Sequence, residues 1–324
     1  MKLIIQIPCY NEAETLAVTL AALPRAVQGF DRVEWLVVDD GSQDATAVVA
    51  REHGVDHVVR HRLNQGLSRA FMTGLNHCLI LGADVIVNTD ADNQYDANDI
   101  PALVRPIVEG VADIVIGARP IDGVECFSPI KKLLQKVGSW VVRTVGGADV
   151  PDAASGFRAF NSDAARELMV FNKYTYTLET LIQMGLRNMA VMAVPVRVNK
   201  DLRTSRLVKS TASYVYRSII TIIRIFLIYC PVRFFGTIGV VFLAAGVGVG
   251  LRFIHFYIGG SGTGHIQSLI LASILIGAGF QTVLVALVAD LLAANRILLE
   301  DVRFTMRQTL MNRATAVKTD PSDG

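Results

Sequence analysis

Two long stretches without a charged residue lie in the C-terminal third of the chain. Residues 234–251 provide 18 such positions and residues 266–289 provide 24. As a helix, each stretch is long enough to cross the hydrocarbon core of a bilayer. Hydrophobic residues make up 52% of the sequence, more than a soluble domain of this size needs, and the excess lies here. The sequence therefore predicts a transmembrane hairpin of two helices.

Positive charges are distributed unevenly around this hairpin. The connection at residues 259–265 has no Lys or Arg, whereas cations flank the pair on both sides: Arg203, Arg206, Lys209, Arg217, Arg224 and Arg233 before it, and Arg296, Arg303, Arg307 and Arg313 after it. Lys and Arg favour the cytoplasmic side, so both termini and the N-terminal region are predicted to be cytoplasmic. The protein would then be a multi-pass protein of the cell membrane. Arg252, near the outer end of the first stretch, either reaches the headgroups or pairs with a neighbouring helix.

Residues 210–230, directly before the hairpin, have an amphipathic pattern. Ser213, Arg217, Thr221 and Arg224 share one helical stripe, and apolar side chains cover the rest. We interpret this pattern as an interfacial helix at 210–232, and the alternative is an apolar helix packed on the N-terminal domain. The predicted divisions are a cytoplasmic domain at 1–209, this helix, the hairpin at 233–295 and a cytoplasmic tail at 296–324 that loses regular structure after Met311.

The first 200 residues alternate short β-branched runs with helical patterns. Apolar runs recur at residues 3–7, 34–38, 84–88 and 113–116, with helical periodicity at 14–23 and 67–81 between them. This alternation predicts an α/β domain with a mostly parallel sheet. Polar motifs follow three of the runs, at residues 8–12, 39–44 and 90–94, and should converge at the carboxyl edge of the sheet.

Charge and cysteine content exclude several classes of protein. The net charge is only +2 and no zinc-finger or RNA-binding signature is present, so no nucleic-acid partner is expected. The four cysteines are scattered without metal or redox spacing and are predicted to be reduced thiols. The first strand leads into Pro8 and not into a glycine-rich loop, which disfavours a dinucleotide-dependent dehydrogenase.

Acidic residues end two of the predicted strands. Asp90 and Asp92 offer two hard oxygen ligands suited to Mg²⁺ or Mn²⁺ on a diphosphate, and the alternative is a solvated turn. Asp39 and Asp40 need donors at a strand end, which a nucleobase N–H and ribose hydroxyls would supply. Asp44 is predicted to cap the following helix.

Three histidines follow at four-residue spacing: His53, His57 and His61. On one helix this spacing would align them as metal ligands. Gly54 and the β-like run after it break such a helix, so the three are predicted to be surface residues.

The order and spacing of the motifs resemble family 2 glycosyltransferases of the GT-A fold. The motifs are Pro-Cys-Tyr-Asn-Glu at 8–12, Val-Asp-Asp-Gly-Ser at 38–42, Asn-Gln-Gly at 64–66 and Asp-Ala-Asp-Asn-Gln at 90–94. The continuation, with Gly-Ala-Arg at 117–119, Asp-Ala-Ala-Ser-Gly-Phe-Arg at 152–158 and Arg-Thr-Ser-Arg at 203–206, is similar to the polyprenyl-phosphate branch. That branch includes dolichyl-phosphate mannose synthases and bactoprenol glucosyltransferases. The resemblance covers residues 1–230, and the hairpin resembles bacterial members.

The resemblance implies a role for each matching position. Residues that would hold the nucleoside are Pro8, Tyr10, Glu12, Asp39 and Asp40. The Mg²⁺ or Mn²⁺ ion and the diphosphate would be held by Asp90, Asp92 and Gln94. Phosphates would face Arg119, Arg203 and Arg206.

Asp152 would lie near the acceptor, beside donors to the acceptor phosphate from Ser155 and Gly156. Asp152 either orients Arg158 or a metal-bound water, or forms a structural ion pair with Arg158. A strong general base is unnecessary, because a phosphate monoester has a second pKa near ~6 and is largely anionic at neutral pH. Glu179 lies where the family carries an acid below the acceptor site.

The implied reaction is inverting transfer of a hexose from a nucleotide-sugar to a membrane polyprenyl phosphate. A UDP-sugar is favoured as donor, with GDP-mannose as the alternative. One rival is a processive polysaccharide synthase, whose Gln-x-x-Arg-Trp motif the sequence lacks. Another is a non-catalytic nucleotide-binding membrane scaffold, against which the intact acidic motifs argue. Close helix approach in a homo-oligomer would be permitted by Gly246, Gly248 and Gly250.

Overall fold

The computed structural model describes residues 1–120, 129–170, 176–199, 211–259 and 265–319. The chain divides into two compact units. The first comprises Met1–Tyr216 together with Met306–Gly324, and the second comprises Arg217–Thr305.

Strands and helices alternate along the first unit. Its strands are β1 (Lys2–Cys9), β2 (Arg32–Asp39), β3 (His57–Arg60), β4 (Val85–Asn88), β5 (Ile114–Ala118), β6 (Arg158–Asn161) and β7 (Val191–Pro195). Its helices are α1 (Ala13–Ala22), α2 (Thr46–Glu52), α3 (Leu67–Ile80), α4 (Ile100–Val108), α5 (Pro129–Gly146), α6 (Ser162–Glu167) and α7 (Thr177–Leu186), with a 3-10 turn at Ala97–Asp99.

The seven strands form one sheet in the order β3-β2-β1-β4-β6-β5-β7. The neighbours β3–β2, β2–β1, β1–β4 and β5–β7 are parallel, which confirms the predicted α/β class and mostly parallel sheet. β1 is buried from Leu3 to Cys9, as a central strand covered on both faces should be. The four predicted apolar runs correspond to β1, β2, β4 and β5.

One strand, β6, runs against the others. It pairs antiparallel with β4 and with β5, so that Arg158 faces Asn88 on one side and Ile116 on the other. Because β6 is reversed, the loop that precedes it lies at the edge where the parallel strands end. Residues 152–157 are thereby brought beside the motifs that follow β4 and β5.

Within the described residues, three long apolar helices make up the second unit, except that the first turns of the first helix and the C-terminal end of the last belong to the first unit. α8 spans Thr211–Tyr229, α9 spans Pro231–Ile258 and α10 spans Ile266–Thr319. Pro231–Ile258 and Ile266–Arg296 are long and apolar enough to cross a membrane. Only 11% and 17% of their apolar windows are buried, whereas the core helix of a soluble domain would be mostly buried. Two candidate membrane-spanning helices are therefore present, as predicted, while the interfacial position of α8 stays a prediction.

The predicted loss of regular structure after Met311 was wrong as far as Thr319, because α10 continues to that residue. Its C-terminal part contains several Leu, Met and Arg residues, which favour helices. Neither Gly nor Pro occurs between Gly279 and Pro321, so nothing in this sequence interrupts the helix.

Small residues let α9 and α10 approach closely. A β-carbon at Gly246 would lie 2.7 Å from Cγ1 of Ile276, and one at Gly239 would lie 3.1 Å from the carbonyl oxygen of Gly279. Gly246 therefore serves a contact within one chain, and its predicted place in a homo-oligomer contact stays a prediction. Gly248 has open space around its Cα, and a β-carbon at Gly250 would lie 3.8 Å from that of Ala272.

We expect Gly246→Leu to destabilise this helix pair by about 1–3 kcal/mol, because the added side chain overlaps Ile276. Gly248→Leu is the matched control, since a β-carbon there meets nothing within 4 Å. Thermal unfolding of the purified chain in detergent measures the difference. Equal unfolding midpoints for the two variants would contradict the close packing at Gly246.

Candidate active site

Asp39 ends β2 with one carboxylate oxygen still able to accept a hydrogen bond. The side chain is fully buried, and its Oδ1 accepts from the backbone N–H of Ser42 at 2.8 Å. Its Oδ2 forms an ion pair with Arg60, 3.1 Å from Nε, but accepts no well-directed hydrogen bond from the described part of the chain. The predicted role of Asp39, accepting an N–H from a nucleobase, fits this orphaned oxygen.

Both carboxylate oxygens of Asp40 bind the loop that follows β3. Its Oδ1 lies 2.7 Å from Nδ1 of His61 and accepts from the N–H of Gln65, and its Oδ2 accepts from the N–H of Gly66. Asp40 thus holds the Asn-Gln-Gly motif in place, and its implied contact with a nucleoside stays a prediction.

His61 is not a surface residue, which corrects the prediction made from the sequence. Its side chain is only 9% exposed, and Nε2 lies 3.0 Å from the hydroxyl of Thr73. The ring is drawn inward because it pairs with the buried carboxylate of Asp40. His57 contacts Glu34, and His53 contacts a backbone carbonyl.

The loops after β1 and β2 are tied to each other. The N–H of Asn11 donates to the hydroxyl of Ser42, and the N–H of Gln43 donates to the side chain of Asn11. Asp44 accepts from the N–H groups of Thr46 and Ala13, the first residues of α2 and α1. The N-cap positions themselves are Ala45 and Glu12, so Asp44 binds the ends of both helices from outside the cap position that was predicted for it.

The remaining residues of the first motif differ in exposure. Pro8 is buried on β1, whereas Tyr10 is 40% exposed and offers its ring at the edge of the sheet. Glu12 is nearly buried and accepts from the hydroxyl of Thr15 at 2.8 Å.

Asp90 and Asp92 follow β4 in a tight turn. Asn93 adopts a left-handed backbone conformation, with φ of 55°, and the N–H of Gln94 donates to Asp92 Oδ1 at 3.2 Å. Burial, and then the negative charge of Asp92, raise the pKa of the Asp90 carboxyl well above its usual range. Both effects disfavour the charged form of Asp90, which a bound cation would favour.

This centre fits a divalent cation that is shared with a substrate. Two carboxylates and the side-chain carbonyl oxygen of Gln94 are the hard donors that Mg²⁺ and Mn²⁺ prefer. In the described ranges, no cluster of three or more His, Cys, Asp or Glu side chains forms a complete metal site. The remaining ligands would therefore come from a diphosphate and water.

Arg119 and Asp152 form a buried ion pair between two loops of the site. Nε of Arg119 lies 2.6 Å from Oδ2 of Asp152, and Nη2 lies 3.1 Å from Oδ1. Asp152 is fully buried and the Arg119 side chain is 7% exposed. Nη1 of Arg119 also donates to the side-chain carbonyl oxygen of Gln94 at 3.3 Å. The pair therefore links the acidic motif to the loop before β6.

The partner of Asp152 is thus Arg119, so the predicted ion pair with Arg158 was wrong. Burial opposes the charge on Arg119, but Tyr95, Asp152 and Asp90 outweigh it and raise the pKa of Arg119 above its ordinary value. Arg119 stays a cation at every pH of interest.

Arg158 faces the interior of the domain. Its guanidinium is fully buried and donates to four oxygens of the protein: the carbonyls of Ser155, Ala153 and Thr177, and the hydroxyl of Thr180. Burial lowers its pKa to about 10. Arg158 ties the loop before β6 to α7, which corrects its predicted place among the substrate-binding residues.

Ser155 and Gly156 also serve the protein itself. The hydroxyl of Ser155 is buried and lies 3.4 Å from the hydroxyl of Tyr95, which accepts from the N–H of Gly156 at 3.0 Å. Tyr95 also stacks on Phe157. The predicted contact of Ser155 and Gly156 with an acceptor phosphate stays a prediction.

A buried polar chain below Asp90 was not predicted from the sequence. Nε2 of Gln6 donates to Asn88, and Nδ2 of Asn88 donates to the carbonyl of Gly156 and to the hydroxyl of Tyr176. A β-carbon on Gly156 would lie 3.0 Å from both the Tyr176 hydroxyl and Oδ2 of Asp90. Gln6 and Asn88 interrupt apolar strands, and that interruption was the available signal.

Two predicted residues, Arg203 and Arg206, lie outside the described residues. Glu179 is buried on α7, where it is 5% exposed. The other predicted site residues of the first unit lie at or next to the carboxyl edge of the sheet.

Similarity to known proteins agrees with this geometry. The profile of the family described as "Glycosyl transferase family 2" matches residues 4–169, just over half of the chain. An undecaprenyl-phosphate mannosyltransferase from Micrococcus luteus is 29% identical over 218 residues, which cover 64% of this chain and 88% of that protein. A dolichol-phosphate mannosyltransferase from Pyrococcus furiosus is 32% identical over 207 residues, which cover 58% and 57%.

Solved structures share the fold. Glucosyl-3-phosphoglycerate synthase from Mycobacterium tuberculosis in complex with phosphoglyceric acid has a TM-score of 0.56 at 21% identity, over 71% of this chain and 80% of that chain. The same enzyme with Mn²⁺, UDP-glucose and phosphoglyceric acid has a TM-score of 0.52 at 21% identity, over 68% and 79%. The family match spans the motifs from Pro8 to Arg158. The chain therefore belongs to glycosyl transferase family 2 and is a glycosyltransferase with a GT-A fold.

Proposed function

We propose that the protein transfers a hexose from a UDP- or GDP-linked donor to a membrane polyprenyl phosphate, with inversion at the anomeric carbon. The observation that carries the proposal is the ion pair of Arg119 and Asp152, which joins the acidic motif to the loop that the resemblance places at the acceptor. Relatives named for transfer to undecaprenyl and dolichol phosphates support this acceptor. Two candidate membrane helices in the same chain suit an acceptor embedded in a bilayer.

The donor half of the site is built from the loops after β1, β2 and β4. Oδ2 of Asp39 would accept the N–H of a uracil or guanine base, and the exposed ring of Tyr10 offers a stacking surface. Asp90 and Asp92 would hold Mg²⁺ or Mn²⁺ together with the diphosphate. When bound, the cation stabilises negative charge on the departing nucleoside diphosphate.

The acceptor half is built around Asp152. Because a lipid phosphate is already largely anionic at neutral pH, the protein does not need to remove a proton from it. Asp152 is bound on both oxygens by Arg119, which suits a residue that positions the arginine better than it suits a free base. Rate acceleration would then come from positioning and from fixed charge.

The test is transfer of label into lipid. We would incubate the purified chain with undecaprenyl phosphate, Mg²⁺ or Mn²⁺ and radiolabelled UDP- and GDP-hexoses, and count label in the organic phase. We expect one donor to give a lipid product, with loss of the product on chelation and in Asp92→Ala. Asp163→Asn is the matched control, because that carboxylate is 76% exposed on α6, outside the site. The anomeric configuration of the product, read by NMR, tests inversion.

The negative outcomes separate the rival functions. Donor hydrolysis without a lipid product would overturn the polyprenyl acceptor, and a growing polymer would identify a processive synthase. Nucleotide binding without any turnover would identify a non-catalytic scaffold.

We expect Tyr176→Phe to reduce transfer by about tenfold, because Asn88 loses an acceptor directly below Asp90. The change removes one hydroxyl and leaves the ring stacked on Phe71. Initial rates at saturating donor measure the effect. Tyr216→Phe, at an exposed position on α8, is the control, and equal rates for the two variants would remove Tyr176 from the support of the site.

A further inference from the structure

Helix α5 joins the two halves of the Arg119–Asp152 pair and is strongly basic. It follows β5, which leads to Arg119, and precedes the loop that carries Asp152. Its 18 residues include Lys131, Lys132, Lys136 and Arg143 and no acid. The helix therefore has a local charge of +4 in a chain whose net charge is only +2.

One side of α5 is packed against the domain. Val141 and Val142 are fully buried, and a β-carbon on Gly146 would lie 2.8 Å from the Cα of Ile182 on α7. A β-carbon on Gly138 would lie 3.4 Å from Leu178, also on α7. These contacts within the chain cover this side of α5.

The opposite side presents apolar and basic side chains together. Leu133, Lys136, Trp140 and Arg143 recur at intervals of three or four residues and form one stripe, the α5 face. Leu133 is 61% exposed and Trp140 is 54% exposed. Arg143 pairs with Asp149 at 2.5 Å, but both side chains are more than half exposed, so water screens the pair.

Two hydrogen bonds connect α5 to the loop that carries Asp152. The hydroxyl of Ser139 donates to the carbonyl of Pro151 at 3.0 Å and accepts from the N–H of Ala153 at 3.2 Å. These two bonds bracket Asp152. A contact that holds α5 in place would therefore also restrain the position of Asp152.

We propose that the α5 face docks on an anionic lipid bilayer, with Trp140 and Leu133 at the boundary between headgroups and acyl chains. Trp prefers this boundary, and the cations beside it attract anionic headgroups. The absence of any acid from α5 favours an anionic surface over a protein partner of mixed charge. Docking would set Asp152 at the level of a lipid phosphate; that consequence rests on the proposed function, whereas the docking itself does not.

Tryptophan fluorescence tests the docking directly, because the chain has only two Trp residues. Trp35 is 5% exposed under the guanidinium of Arg25, so Trp140 is the accessible one. We would place the full chain in nanodiscs of phosphatidylcholine and phosphatidylglycerol, with and without bromine on the acyl chains. The bromine-dependent quenching of the native chain should disappear in Trp140→Phe, and iodide should quench Trp140 weakly.

Position and charge controls complete the experiment. In the Trp140→Phe background, Val48→Trp puts an exposed indole on α2, where we expect quenching by iodide and not by brominated lipid. Lys136→Glu, and separately the omission of phosphatidylglycerol, should each reduce lipid quenching at least by about half. Arg51→Glu, an exposed charge reversal on α2, should leave it unchanged.

Three results would overturn the proposal. One is quenching of Trp140 by iodide and not by brominated lipid. Another is lipid quenching that Lys136→Glu and neutral lipid leave unchanged, which would exclude recognition of anionic headgroups. The third is protection of Trp140 that depends on protein concentration, which would identify a second protein molecule. Lipid quenching without any transfer activity would keep the docking and overturn the proposed function instead.

Discussion

Asp152→Asn is expected to reduce lipid glycosylation by about 10²-fold or more, a larger loss of activity than that expected for Tyr176→Phe. The substitution keeps the shape of the side chain but removes its charge. Arg119, whose side chain is 7% exposed, would then carry a buried charge without its carboxylate partner. We expect the guanidinium to move toward Gln94 and the acidic motif, away from the position that the acceptor requires.

The measurement is the initial rate of label transfer at saturating donor and varied acceptor, with thermal unfolding recorded in parallel. Asp149→Asn is the matched control. It removes the same charge three residues before Asp152, from an exposed ion pair between Asp149 and Arg143. A small rate loss in Asp152→Asn, no greater than in the control, would show that the buried pair is not needed for transfer.

Arg158→Met is expected to give the largest loss of stability, about 3–5 kcal/mol in the free energy of unfolding, because several buried acceptors lose their donor. The change leaves three carbonyls and one hydroxyl without the donor that joins the loop before β6 to α7. Methionine fills part of the volume but donates no hydrogen bond. The loss should therefore appear in unfolding before any effect on substrate binding.

Thermal unfolding of the full chain in detergent measures this loss. Arg105→Met is the control, since that side chain is 75% exposed on α4. If Arg158→Met unfolded like the control but bound acceptor weakly, the arginine would regain the substrate-binding role that the sequence predicted.

The positions of the residues in the proposed donor half could be predicted from the sequence because they depend on local order. A parallel strand that ends in acids places those acids at the carboxyl edge of the sheet whatever the strand order is. Asp39, Asp90 and Asp92 follow this rule. The single accepting oxygen left on Asp39 could not be foreseen, because it depends on how Ser42 and Arg60 share the carboxylate.

The contacts in the proposed acceptor half could not be predicted in the same way because they depend on a reversed strand. β6 has only four residues, too few for periodicity to identify it or its direction. Because β6 lies between β4 and β5, Arg158 faces the core. Asp152 then forms its ion pair with Arg119. Whether Asp152 pairs with Arg119 or with Arg158 depends on the register of β6 in the sheet, and a sequence motif does not reveal that register.

The reversal of β6 also separates the site into two parts that are free to diverge. The donor motifs lie on loops that follow β1, β2 and β4, whereas Asp152 lies on the loop that precedes β6. Changes in the loop that precedes β6 would therefore alter what meets the sugar, while the loops after β1 and β2 keep their contacts with each other. One such scaffold can retain its nucleotide-sugar chemistry while its descendants acquire different acceptors.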